Sequence, residues 1–213
     1  TVILADKQTA GRGQRGNSWS SMAGNQLAYT VYAETAFLSA ERYWFLNLAV
    51  ALAVQQTIFS LIPKQQVRIK WPNDILVNNR KISGILIETQ WRSSQIQGAI
   101  IGVGVNIQPE PGLAASCSLR DFSEKDTRTM ELAHLLSQQL ELQFQRLRNG
   151  EWNAMLADYH CQLWMKDAEL HAELADQRLV SGFIRGIDGT GNLLFETEGG
   201  VQSFGLKEIA FSY

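Results

Sequence analysis

Two polar stretches hold the residue types that could handle an acid and a nucleotide. One is Lys70-Trp71-Pro72-Asn73-Asp74, followed by Lys81-Ile82-Ser83-Gly84-Ile85-Leu86. Asn73 and Asp74 offer hard oxygen atoms, the sparse protein shell that magnesium accepts beside phosphate oxygens. Lys81 sits across a short hairpin from them, where its ammonium can lie over the same space. Gly84 leaves the backbone open to close approach by a ligand. Pro72 keeps Trp71 out of a helical conformation and fixes the exit of the preceding strand. Any one of these residues also fits a plain hairpin turn with solvated lysines. The density of the whole string between apolar runs does not.

The other stretch is Gly11-Arg12-Gly13-Gln14-Arg15-Gly16-Asn17-Ser18-Trp19. Gly11, Gly13 and Gly16 fit the G-x-G-x-x-G spelling of a dinucleotide loop, with Glu34 at the place of its acidic residue. That loop requires a helix directly after the glycines, so that a helix N-terminus meets the pyrophosphate. Here polar loop residues and then a strand pattern follow, and the dinucleotide reading fails. The Gly-Lys-Ser/Thr ending of a phosphate loop is absent as well. Two readings stay open. Arg12, Arg15 and backbone N–H groups freed by glycine can hold carboxylate and phosphates, or the loop is a solvated surface segment.

Strand and helix patterns position these stretches. Thr1–Asp6 has the composition of a short buried strand, and Gln26–Tyr32 of a second. Ser39 can cap a helix that runs to Leu61, with Glu41 in its first turn. Gln66–Lys70 is a strand, and Ile75–Val77 with Lys81–Thr89 form a hairpin around Asn78-Asn79-Arg80. Ile96–Ile107 is a further strand that contains Gly98, Gly102 and Gly104. Pro109–Ser123 reads as loop. Thr127–Arg148 is a helix with Leu132, Leu135, Leu136, Leu140, Leu142 and Phe144 largely on one side, and Gly150–Trp164 is another. Beyond Lys166 the pattern changes to short strands and glycine turns: Gly182–Ile187, Asn192–Thr197 and Val201–Leu206. That spacing predicts a small antiparallel barrel, and a division into residues 1–166 and 167–213.

Composition narrows the classes. The chain of 213 residues is long enough for one large domain or a medium one with a small one. A net charge of −2 gives no electrostatic footprint for nucleic acid, so no DNA partner is expected. Cys117 and Cys161 are far apart, which excludes a disulfide framework and fits a reducing cytoplasm. The apolar stretch Leu46–Leu61 is interrupted by glutamines and is too short to span a bilayer. The chain starts at Thr1 and runs straight into Val2-Ile3-Leu4-Ala5, from which a preceding segment is expected.

Both polar stretches, together with Ile101-Gly102-Val103-Gly104-Val105-Asn106-Ile107, resemble the biotin–protein ligases in order and spacing, and the resemblance extends over nearly the whole chain. It implies an α+β architecture: the catalytic fold shared with class II aminoacyl-tRNA synthetases, with a mixed, mainly antiparallel sheet, and a C-terminal SH3-like β-barrel. It implies a short form without an N-terminal DNA-binding domain. The activity implied is the joining of biotin to ATP, then transfer of biotin to a lysine of a biotin carboxyl carrier protein. By motif position, Gln8, Gly11, Arg12, Gly84 and Gly102 would line the biotin and its carboxylate. Gln14, Arg15, Trp19, Asn73, Asp74 and Asn106 would contact ATP or the adenylate. Lys81 and Arg12 would be catalytic, and Asn73 and Asp74 would sit by magnesium. Some family dimers pair their sheets edge to edge, so a homodimer is compatible. Gln14 stands where many members carry arginine, which implies a weaker grip on the adenylate. The family's preceding Ser-Thr pair, which closes around biotin, lies before Thr1, and without it biotin affinity is expected to be poor. A non-catalytic relative and a lipoate–protein ligase stay open as alternatives.

Overall fold

The computed structural model describes residues 1–14, 18–19, 24–93, 95–109 and 115–211. Its larger sheet has six strands in the order β1 (Val2–Ala5), β4 (Gln26–Glu34), β8 (Gln95–Asn106), β7 (Arg80–Arg92), β6 (Asp74–Val77), β5 (Val67–Lys70). Two short strands, β2 (Gly11–Arg12) and β3 (Ser18–Trp19), pair only with each other. Every strand pairing described is antiparallel, and parallel contact is confined to isolated bridges such as Lys81 with Ser116.

One face of the large sheet carries the core. Ile85, Ile101, Val103 and Val105 point toward helix α1 (Phe45–Leu61), which is buried on nearly all sides. An all-round apolar helix of this kind must be covered everywhere. Strands β5 to β7 cover it from one side, and α2 (Thr129–Arg148) and α3 (Trp152–Gln162) from the others. The helix starts at Phe45 and not at Ser39. Residues before it form i→i+3 turns, with Arg42 N–H donating to Ser39 O and Phe45 N–H to Arg42 O. Leu132, Leu136, Leu140 and Phe144 of α2 are buried, but Leu142 is exposed, one step off that stripe. Strand β1 lies at the sheet edge with Val2 and Ile3 exposed, so it is not the buried strand its composition suggests.

The hairpin β6–β7 turns through Asn78 and Asn79, both at positive φ (48° and 65°). Such a two-residue turn matches the twist of the flanking strands, and Asn tolerates the left-handed region. The Trp71–Pro72 bond at the other end of β6 is cis.

The second sheet orders its five strands β12 (Gly200–Phe204), β11 (Leu193–Thr197), β10 (Leu179–Ile187), β9 (Glu169–Leu174), β13 (Ile209–Ala210). Strands β9 and β13 add to the three strands expected from sequence. This sheet is fastened to the rest by named bonds. Trp71 Nε1 donates to Gly191 O at 3.0 Å, Ile187 N–H donates to His160 Nε2 at 3.1 Å, and Lys70 Nζ donates to Phe211 O at 3.2 Å. No helix among the described residues is long and apolar enough to cross a membrane.

Candidate active site

The face of the large sheet turned away from the helices is bare in one place. Gly84 pairs with Gly104, and Gly104 with Ala28, so three strands present almost no side chain along one row. The next row is Leu86, Gly102 and Thr30. A cavity of about 200 Å³ lies over these rows. The glycines have different reasons to be bare. A side chain at Gly104 would collide with the indole of Trp19, and one at Gly84 would lie 3.1 Å from it. At Gly102 a Cβ meets nothing closer than Leu86 O at 3.6 Å. Its emptiness therefore belongs to the cavity, not to packing.

Strict alternation along β7 would put Lys81 and Gly84 on opposite faces, because side chains repeat every second residue. A bulge changes the phase. Ser83 pairs with Ile75 but Lys81 with Leu76, which leaves Ile82 as the extra residue, and it is fully buried. Bulges of this sort re-aim side chains; here Lys81 joins Gly84 on the cavity. The backbone of Lys81 is held on both sides, its N–H donating to Ala115 O and its C=O accepting from Cys117 N–H.

Lys81 Nζ lies 2.6 Å from Asp74 Oδ1, an ion pair in which both side chains are partly exposed. Asn73 is clamped beside it: its Nδ2 donates to Ile85 O at 2.8 Å while Ile85 N–H donates to Asn73 O. Lys70, paired with Asp74 across β5 and β6, is more enclosed. Burial pushes its ammonium down to about 8, with Asp74 opposing the shift and Lys81 adding to it. The thiol near these lysines is no nucleophile, because burial pushes Cys117 up to about 12.

The short pair β2–β3 forms the roof. Gly11 is opposite Trp19, so close that a side chain at 11 would strike the Trp19 carbonyl and lie 3.0 Å from Gln8 Oε1. The Trp19 ring rests over Gly84 and Gly104 with Lys81 Nζ 5.9 Å from its centre. Its Nε1 is buried with no acceptor among the described residues. Arg12 lines the same cavity as Lys81, and its guanidinium is held by Glu88 at 2.9 Å.

Gln8, Arg12, Gln14, Trp19, Asn73, Lys81, Gly84 and Gly102 of the sequence-based set all border this cavity, and Gly11 supports its roof. Asp74 borders a second cavity next to it. Asn106 is placed differently: it is buried, and its Nδ2 donates to Cys117 O at 3.0 Å. Arg15 lies outside the described residues. Sequence reasoning did not single out Thr30, Leu86, Glu88 or Ile100, which also line the cavity. The period of two, counted along the strands from Gly84 and Gly102, could have found Leu86, Glu88 and Ile100, whereas Thr30 is placed by pairing with Gly102 across strands.

Two anionic groups can meet here. Arg12 and Lys81 both supply positive charge to its lining, the glycine floor leaves room for a ligand, and the Trp19 indole offers an apolar lid. Residues 1–106 match the family described as the biotin/lipoate A/B protein ligase family. The biotin--[acetyl-CoA-carboxylase] ligase of Mycobacterium tuberculosis is 30% identical over 202 residues, which cover 93% of this chain and 74% of that protein. The bifunctional ligase/repressor BirA of Bacillus subtilis is 39% identical over 144 residues, 64% of this chain and 43% of that protein. A solved biotin protein ligase from Aquifex aeolicus, in complex with biotin and ATP, superposes with a TM-score of 0.81 at 20% identity, covering 99% of this chain and 88% of that one.

Proposed function

The chain belongs to the biotin–protein ligase family, and from that premise we propose that it joins biotin to ATP and passes the biotinyl group to a lysine of a biotin carboxyl carrier protein. The observation that carries the reading is the convergence of Arg12 of β2 and Lys81 of β7 on one cavity floored by Gly84 and Gly102. A carboxylate oxygen of biotin attacks the α-phosphorus of ATP, the bond to the β-phosphate oxygen breaks, and pyrophosphate leaves. Both reactants are anions, so the protein's main contribution is positive charge aimed at the transition state. Arg12 meets the carboxylate, and Lys81 lies between the carboxylate and the α-phosphate. The carrier lysine, as the free amine, then attacks the acyl carbon and AMP departs. Trp19 over the floor shields the reactive mixed anhydride from water.

Gln8, Gly11, Gly84 and Gly102 belong to the biotin side in this proposal, and Gln14, Arg15, Trp19, Asn73 and Asp74 to the nucleotide side. Asn106 has a structural task in bonding Cys117 and lines neither cavity, so we assign it to the nucleotide side on its motif position alone. Magnesium fits the donor set. Among the described residues no cluster of three ligating side chains exists, but a phosphate-bound magnesium ion needs only one or two protein carboxylates. Asp74, with Asn73 beside it, would hold the ion, which would screen phosphate charge.

Residues 1–166 form the catalytic domain in this proposal and residues 167–213 the SH3-like barrel. A cytoplasmic site of action and a homodimer that pairs sheet edges belong to it too, and a net charge of −2 supports leaving DNA out. The test is ATP–pyrophosphate exchange, first with biotin and then with lipoate. Exchange that depends on biotin, followed by label transfer to a carrier protein, is expected. Exchange driven by lipoate alone, or none with either acid, overturns the reading.

A further inference from the structure

A third cavity, of about 120 Å³, lies where the second sheet meets the rest of the chain. Its walls come from four places: Trp44 just before α1, Trp71 beside the cis-proline, Tyr159 of α3, and the turn of the second sheet that carries Gly191 and Asn192. The junction is closed at Trp71, whose Nε1 donates to Gly191 O at 3.0 Å. One water needs about 10–15 Å³ of such space, so this cavity holds several waters or one small ring.

Two hydrogen-bonding groups on these walls are buried without partners. Trp44 is 5% exposed, and its Nε1 has no acceptor among the described residues. Tyr159 is 2% exposed; burial pushes its hydroxyl up, and no hydrogen bond opposes the shift. Buried polar groups left unpaired destabilise a fold, and two of them on one cavity point to an occupant.

The lining sets the chemistry of that occupant. Tyr43, Trp44, Trp71 and Tyr159 give aromatic surface, and Gln14, Asn47 and Asn192 give amides. Among the described residues no charged side chain borders the cavity. A carboxylate or phosphate there would lose its water with no cation to meet it. The reacting cavity is the opposite case, bordered by Arg12 and Lys81. An indole N–H only donates, so the occupant must bring an acceptor. Aromatic walls favour a ring, which packs against them offset or edge-on.

We propose that this junction cavity is a binding site for a small neutral ring with a carbonyl acceptor, of the aromatic carboxamide class. Trp44 and Tyr159 supply its hydrogen bonds, and the ligand bridges the start of α1, α3 and the second sheet. It also meets Gln14, which lies between β2 and β3 and alone among the described residues borders all three cavities. The site is thus separate from the reacting groups yet touches the roof above them. Its occupancy does not depend on the ligase reading.

Saturation-transfer NMR on the full chain, with benzamide as the probe and benzoate beside it, tests the site. Benzamide is expected to bind, and benzoate, alike in shape but charged, to bind at least about tenfold more weakly. Saturating biotin and ATP leave the benzamide signal in place. Tyr159→Phe removes only the hydroxyl. It weakens benzamide binding by about threefold or more, the worth of one hydrogen bond. Its melting temperature holds or rises, because that hydroxyl had no partner to lose. Asn47→Ala, at an exposed position on the rim, weakens benzamide binding as well and leaves the fold intact. Absence of benzamide binding, which leaves the cavity to water, overturns the proposal. So does binding that biotin or ATP displaces, a benzoate affinity equal to that of benzamide, or an affinity unchanged in both variants.

Discussion

Lys81 reaches Asp74 at 2.6 Å because a bulge at Ile82 reverses the phase of its strand. The pair holds the ammonium beside the glycine floor, with Nζ 3.4 Å from where a Cβ at Gly84 would stand. Lys81→Ala is expected to lower the exchange rate by about a hundredfold or more, the usual size for one lost charge-stabilising donor. Its side chain is 29% exposed, so the same change costs little stability, about 1 kcal/mol at most. Exchange kinetics and a melting curve on one preparation check both parts. A normal rate would mean that Lys81 is merely a partner for Asp74.

Gly102 and Gly104 differ in what forbids a side chain, and alanine at each reads that difference. A methyl at 104 meets the Trp19 ring, so Gly104→Ala must displace the roof. A methyl at 102 finds ordinary contact distances and enters the cavity. Gly102→Ala is expected to leave the melting temperature unchanged or slightly higher, since glycine weakens a strand interior. It raises KM for biotin by about tenfold, a common effect of one misplaced methyl in a pocket. An unchanged KM would place the ligand elsewhere on the sheet.

Much of this site was legible before the structure. The two motifs named the charged and glycine-bearing part of the cavity wall around Arg12, Lys81 and Gly84, because dense polar residues between apolar strands have few structural uses. The phase of Lys81 was not legible: a bulge depends on pairing between strands, and Ile82 looks like any apolar residue until its partner is known. Strand β9 was missed because Glu169, His171 and Glu173 lower its strand propensity, although Leu170 and Ala172 alternate inward as a strand requires. The start of α1 was misplaced for the opposite reason. Ser39 has the right chemistry for a cap, but the chain makes i→i+3 turns until Trp44 and Phe45 find the core. Local signals lose where tertiary packing decides.

Glu88 holds Arg12 at 2.9 Å, with the two side chains 44% and 71% exposed. An exposed pair of this kind contributes about 0–1 kcal/mol, so it is easily exchanged for another carboxylate. A substrate carboxylate that binds Arg12 must first displace Glu88. Glu88→Gln is therefore expected to tighten biotin binding by a few-fold, roughly the worth of the lost competitor, and to leave stability unchanged. Titration calorimetry of both proteins with biotin checks it. Weaker binding in the variant would show that Glu88 helps to position Arg12 and does not compete for it.

His160 links α3 to the second sheet, and its bond fixes the sign of a pH effect. Ile187 N–H is a donor only, so Nε2 must accept and the ring must be neutral, with its proton on Nδ1. The ring fits there because residue 186 is glycine, at a φ of 142°, where a Cβ would come within 2.8 Å of Nε2. Burial lowers the pKa of His160 from its ordinary 6.5, Lys166 lowers it further, and Asp167 opposes them. Asp167 is itself engaged by Lys166 and Arg185, which weakens its opposition. A base with a depressed pKa binds more protons when unfolded, so its stabilisation is complete above 6.5 and is lost as pH falls through the folded-state value. Wild-type melting temperature should therefore fall between about pH 7 and 5. His160→Gln keeps an acceptor for Ile187 N–H but cannot take up that proton. Its melting curve should be flatter over the same range, and parallel curves for the two proteins would assign the acid sensitivity to another group.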